Sequence, residues 1–166
     1  MRTLITNIVE YIRKAFYSKE RSRFYKMDRK EVFNKIYHTN HWKSNESISG
    51  RGSTLKQTQL IVKALDDLIK QYEIKSIADI PCGDFNWMKY VNLDAVRYMG
   101  GDIVASIIEN NRTKYKNEEN LSFRVCDIIN HDIAYHDLII SRDCLVHFSF
   151  EDIHLALKNI IRSKSK

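Results

Sequence analysis

Four short apolar runs set the strongest constraint on this chain: "SIADI" at 76–80, "VRYMGGDI" at 96–103, "LSFRVCDI" at 121–128 and "DLIISRD" at 137–143. The first three carry an aspartate next to their end, at Asp79, Asp102 and Asp127. Between the first two lies "FNWMKYV", which predicts a short helix; "VASIIENNRTKY" after the second and "FEDIHLALKNII" after the fourth predict longer ones. Strands alternating with helices predict a parallel, doubly wound α/β sheet. Ligands of such sheets lie outside the carboxyl ends of the strands, where strand order reverses. The three aspartates therefore stand where a site is expected.

The segment before the sheet reads as helix, loop, helix. "DRKEVFNKIYH" at 28–38 offers Asp28 as a cap, with Val32, Phe33, Ile36 and Tyr37 as an apolar stripe. "TNHWKSNESISGRGST" at 39–54 has neither strand nor helix period and reads as a loop. From Ser53 or Thr54 a helix runs through Leu60, Ile61, Ala64, Leu65, Leu68 and Ile69. Further upstream, Leu4, Ile5, Ile8, Val9, Ile12, Ala15 and Phe16 recur at helical spacing. That amphipathic helix either packs on the domain or lies on an anionic membrane surface. Residues 1–54 thus form an N-terminal helical segment and loop, and residues 55–166 the α/β domain.

At 166 residues and 43% hydrophobic, the chain suffices for one domain. Its net charge of +6 comes from residues 1–30, which hold nine Lys/Arg against three Asp/Glu; the remainder is balanced. A nucleic-acid enzyme spreads basic groups around its cleft, so no nucleic-acid partner is expected. Cys82, Cys126 and Cys144 are odd in number and unpaired in spacing. That argues against a metal site or a disulfide framework and fits a reducing compartment. Glu10 and Arg13 interrupt the opening apolar run, which reads neither as a signal peptide nor as a span. The expected location is cytoplasmic, with contact of residues 1–20 at the inner membrane face as the alternative.

The turn "DIPCGD" at 79–84 follows the first strand. Gly83 lets a ligand approach the backbone, and Asp79 and Asp84 can accept hydrogen bonds from a cationic amine. Asp102 has the spacing from Gly83 at which a carboxylate reaches the hydroxyls of a ribose, and it also reads as a cap for the next helix. Asp127 can accept from the exocyclic amine of a purine while Ile128 covers the ring; an ordinary strand-end turn is the other reading.

The order "ADIPCGDF", "YMGGDI", "FRVCDI", "DLIISRDCLVHF" resembles the class I S-adenosylmethionine-dependent methyltransferases over roughly residues 55–163. It is similar above all to bacterial small-molecule and saccharide-type members with an Asp-x-Pro-Cys-Gly-Asp first motif. The resemblance implies a Rossmann-like three-layer sandwich with strand order 3-2-1-4 and S-adenosyl-L-methionine as cofactor. It implies a cofactor-contacting set of Asp79, Pro81, Cys82, Gly83, Asp84, Asp102, Ile103, Asp127, Ile128 and Ser141, with Ser141 near the methionine amine. The glycine-rich first motif keeps only its middle glycine, with Pro81 and Phe85 at the other positions. That disfavours a dinucleotide, whose pyrophosphate needs the tighter approach.

The fourth run lacks the Asn/Asp-Pro-Pro-aromatic motif associated with amino-group methylation, so the expected acceptor is a small hydroxylated molecule such as a sugar or glycan precursor. His147 and Asp143 are the candidate bases, since a hydroxyl must lose its proton as the methyl arrives. Arg51, Ser53 and Thr54 lie in the loop that either closes over the site or links and caps as solvated chain. The resemblance implies seven strands where four are read, so later strands are expected to be missing. The fourth strand would then be an exposed edge open to self-association. A cofactor-binding remnant without activity, or half of a complemented enzyme, is the alternative function.

Overall fold

The computed structural model describes residue 24 and residues 27–165. The amphipathic segment predicted within residues 1–16 lies outside the described residues. Four strands form one parallel sheet: β1 (Ser76–Asp79), β2 (Arg97–Asp102), β3 (Leu121–Val125) and β4 (Leu138–Ile140), in the order β3-β2-β1-β4. The Rossmann-like arrangement and strand order expected from the sequence are present. Asp79 pairs with Gly100 of β2 and with Ile140 of β4, so the strand order reverses beside Asp79.

Side chains alternate across this sheet and divide the core in two. Ile77, Tyr98, Leu138 and Ile140 face one cluster, together with Ile61, Leu65 and Ile69 of α2 (Leu55–Gln71) and Ile108 of α3 (Ala105–Lys114). Ala78, Met99 and Ile139 face the other, with Ala156 and Ile160 of α4 (Phe150–Arg162). Helices on both faces complete a three-layer sandwich. β4 is the edge strand on the β1 side among the described residues.

α1 (Arg29–His38) begins with a capping box, in which the Asp28 carboxylate accepts from the Glu31 amide and the Glu31 side chain accepts from the Asp28 amide. The connection from β1 to β2 departs from the expected helix. Only a short 3-10 turn, Met88–Tyr90, forms there. Phe85, with φ 57°, points into an aromatic cluster, its ring 5.0 Å from Tyr98, 4.9 Å from Tyr115 and 5.4 Å from Phe123. Trp87, Met88, Val91 and Leu93 are buried as well, and this many anchors cannot lie on one face of a short helix.

Candidate functional site

The carboxyl ends of the strands open into a cavity of about 410 Å³, within the ~300–1,000 Å³ range of small-molecule sites. Asp79, Asp102 and Asp127, from three adjacent strands, all line it. So do Pro81, Cys82, Gly83, Ile103 and Ile128 from the set expected by resemblance, and Arg51, Ser53, Asp143 and His147 from the loop and acceptor sets.

Each acid is held differently. Asp79 is buried, and its Oδ2 accepts from the Tyr98 hydroxyl at 2.8 Å. Burial pushes its carboxyl up to about 7, against the opposing pull of the Tyr98 hydrogen bond. Asp102 ties two turns together by accepting from the Gly83 amide at 3.1 Å and the Val104 amide at 2.9 Å. Burial raises it to about 6, while those amides favour the ionised form. It is not the cap of α3, a position taken by Val104. Burial alone would push Asp127 upward, but the Ile129 amide, Arg29 and Asn130 hold it below the usual carboxylate range.

Three expected site residues fall outside the cavity. Asp84 does not face a ligand: its carboxylate accepts from the Ser47 hydroxyl at 2.9 Å, the Ile48 amide at 2.9 Å and the Ser49 hydroxyl at 3.2 Å. It anchors the preceding loop. Ser141 does not line the cavity, and its hydroxyl is buried. The Thr54 hydroxyl donates to the Arg51 carbonyl at 2.9 Å, at the backbone cap position of α2.

The 39–54 loop is not a solvated linker. Ser44, Ser47 and Gly50 are buried, and Ile48, Ser49, Gly50, Arg51, Gly52 and Ser53 line the cavity. Gly83 serves this closure, because at φ 54° a Cβ there would stand 2.2 Å from Ser49 Oγ. The side on which a Cβ would stand is thus taken by the loop, while Gly83 itself lines the cavity. Asn111 of α3 braces the same turn, donating to the Gly83 carbonyl at 2.9 Å.

Sequence reasoning missed the roof. Phe33, Ile36 and Tyr37 of α1, Trp42 of the loop, and Trp87, Arg142 and Phe148 line the cavity. Arg29 joins them; its guanidinium pairs with Asp127 at 3.1 Å and Asp152 at 2.8 Å and lies 5.6 Å from the Phe148 ring centroid. Its distance in sequence from both acids leaves no spacing signal to read. The His147 ring is flanked by Phe33 at 5.9 Å and Trp42 at 6.1 Å. Asp143 and His147 are both exposed, and Asp143 pairs with Arg142 at 3.0 Å.

Chemically, the cavity offers separate acids at three strand ends, the apolar surfaces of Ile103 and Ile128, and, at the turn after β1, Gly83 alone in place of the closely spaced glycines that cradle a pyrophosphate. These residues fit an uncharged nucleoside joined to a cationic amine.

Comparisons with known proteins agree with this architecture. A family model described as a methyltransferase domain matches residues 78–164. No curated protein matches the chain. Among solved structures, an N-methyltransferase from Bradyrhizobium japonicum WM9 in complex with S-adenosyl-L-homocysteine is similar with TM-score 0.62 and 13% identity, over 77% of this chain and 67% of that one. Magnesium protoporphyrin IX methyltransferase from Synechocystis PCC 6803 with bound S-adenosylmethionine gives TM-score 0.60 and 12% identity, over 83% and 73%. Phosphoethanolamine N-methyltransferase 1 from Haemonchus contortus, in complex with phosphoethanolamine and S-adenosylhomocysteine, gives 0.55 and 19%; it is matched over 81% of this chain, which spans 29% of its length. At these identities the similarity is one of fold.

Proposed function

This chain belongs to the methyltransferase-domain family, and we propose that it binds S-adenosyl-L-methionine along the ends of β1, β2 and β3 and methylates a small hydroxylated acceptor, such as a sugar or glycan precursor. The observation that carries the reading is the convergence of Asp79, Asp102 and Asp127 on one cavity. Asp79 would hold the ammonium, Asp102 the ribose hydroxyls and Asp127 the purine amine, with Ile103 and Ile128 against the ring. When bound, the cofactor supplies an activated sulfonium methyl, so the protein's main task is to place the acceptor.

Trp42, Trp87, Phe33 and Phe148 give the rest of the cavity flat apolar walls, a surface suited to the faces of a sugar ring. His147 is the favoured base, because its ring is positioned between Phe33 and Trp42 while the Asp143 carboxylate is engaged by Arg142. In the acceptor step His147 takes the hydroxyl proton as the oxygen gains the methyl. The test is transfer of labelled methyl from S-adenosylmethionine to a panel of sugars and nucleotide-sugars. Wild type should label at least one hydroxylated acceptor, and His147→Ala should lower kcat by about 10²–10⁴-fold. Labelling of amine acceptors alone would rule out the oxygen reading.

A further inference from the structure

The turn that follows β3 is locked on itself. The Ile129 amide donates to Asp127 Oδ1 at 3.0 Å and the Asp127 amide to His131 Nδ1 at 3.0 Å, while the His131 amide closes on the Asp127 carbonyl at 2.9 Å. Asp127 Oδ2 accepts from Arg29 at 3.1 Å and from Asn130 at 2.7 Å. A carboxylate offers about four acceptor positions, and three donors already occupy this one, which leaves a single position on Oδ1. A ligand donor that reaches Asp127 therefore meets one lone pair, and the turn sets its direction.

The turn in its own right hangs from α4. Asn159 is 4% exposed, and its Nδ2 group donates to two carbonyls of the turn, Ile128 at 2.9 Å and His131. Arg162 Nη2 donates to Asn159 Oδ1 at 3.0 Å, which keeps the amide nitrogen on the side of the turn. Both N–H donors and the oxygen of this amide are thus engaged, and two carbonyls depend on it for a partner. Ala156 and Ile160, on either side of Asn159 on the same helix face, pack into the apolar core with Ala78 and Met99 of the sheet. The sheet therefore fixes α4, and Asn159 passes that position on to the turn. Asp127 and Ile128 line the cavity, whereas Asn159 does not.

We propose that Asn159 is a positioning residue for purine recognition: it holds the 127–131 turn so that the remaining acceptor of Asp127 meets the exocyclic amine and Ile128 meets the ring. The inference rests on the S-adenosylmethionine reading above and adds the residue through which the site tells a 6-amino purine from a 6-oxo purine.

Calorimetric titration with S-adenosylhomocysteine and with S-inosylhomocysteine, in which an oxo group replaces the amine, separates this role from a purely structural one. Wild type should favour the amine by about 10–150-fold, the worth of a hydrogen bond to a charged group. Asn159→Ala should lose at least about tenfold of that preference. Asn159→Ser, which keeps one donor, should fall between the two and carries the comparison should the alanine variant not fold. The control is Asn120→Ala. Asn120 also braces two carbonyls, Leu93 at 2.8 Å and Val96 at 3.2 Å, but at the amino-terminal end of the strands, away from the cavity. That variant should lower the melting temperature and keep the full preference. An unchanged preference in the folded Asn159 variants, or an equal loss in Asn120→Ala, would overturn the positioning role. If folded wild type bound neither ligand, the cofactor reading would fail; if it bound both equally, the Asp127 assignment would fail, and the role of Asn159 with it.

Discussion

Burial withdraws water from Asp79 and Asp102, and the proton is the cheapest way for either to shed its charge. With folded-state values of about 7 and about 6 against 3.8, both groups hold protons in the folded chain that the unfolded chain has released. Their contribution to stability is full below about pH 4 and is lost as pH rises through 6 and then 7. The groups acting on Asp79 besides burial are the Tyr98 hydroxyl, the Asp102 charge and the Arg142 charge. Thermal unfolding between pH 5 and pH 8 should therefore fall less steeply with pH in Asp79→Asn than in wild type. A cationic amine at the cavity favours ionised Asp79, so S-adenosylhomocysteine should raise the melting temperature more at pH 8 than at pH 6. Parallel curves for the two proteins would remove Asp79 as the source of the slope.

Among the elements, α1 has no fully buried residue, and Arg29 is its link to the ends of β3 and α4 through Asp127 and Asp152. The Arg29→Ala variant should speed amide exchange in α1, corresponding to about 1–3 kcal/mol of local opening, and leave the β2 amides protected. Unchanged exchange in α1 would show that the partly buried Phe33, Ile36 and Tyr37 hold the helix unaided. The strands were legible because short apolar runs closed by acids leave few other structures open, and the acids marked the floor of the site for the same reason. The β1–β2 connection misled because Phe85 leaves the helical region to fill a core position that only the folded sheet creates. The roof was illegible because its latches join residues far apart in sequence: Arg29 to Asp127, and Arg142 to the Gly52 carbonyl. The loop's Ser and Asn content suggested solvent exposure, yet Ser47 and Ser49 turn inward to satisfy Asp84.

At the scale of the whole molecule, a three-layer sandwich carries three acids to one end of its sheet, and α1 and the 39–54 loop close over them as a roof. Arg29, Arg51 and Arg142 are offset in the lining by Asp79, Asp102, Asp127 and Asp143, which gives the cavity no general attraction for polyanions. Selectivity must then come from the placed groups themselves, and Asp102 is the one that couples the Gly83 turn to the start of α3. Calorimetric titration of the purified chain with S-adenosylhomocysteine, comparing wild type with Asp102→Ala, tests the account most directly. The account predicts saturable one-to-one binding by wild type and a loss of at least about tenfold in the variant, with circular dichroism showing both folded. A folded wild type that shows no binding, or an Asp102→Ala variant that binds equally well, would contradict it.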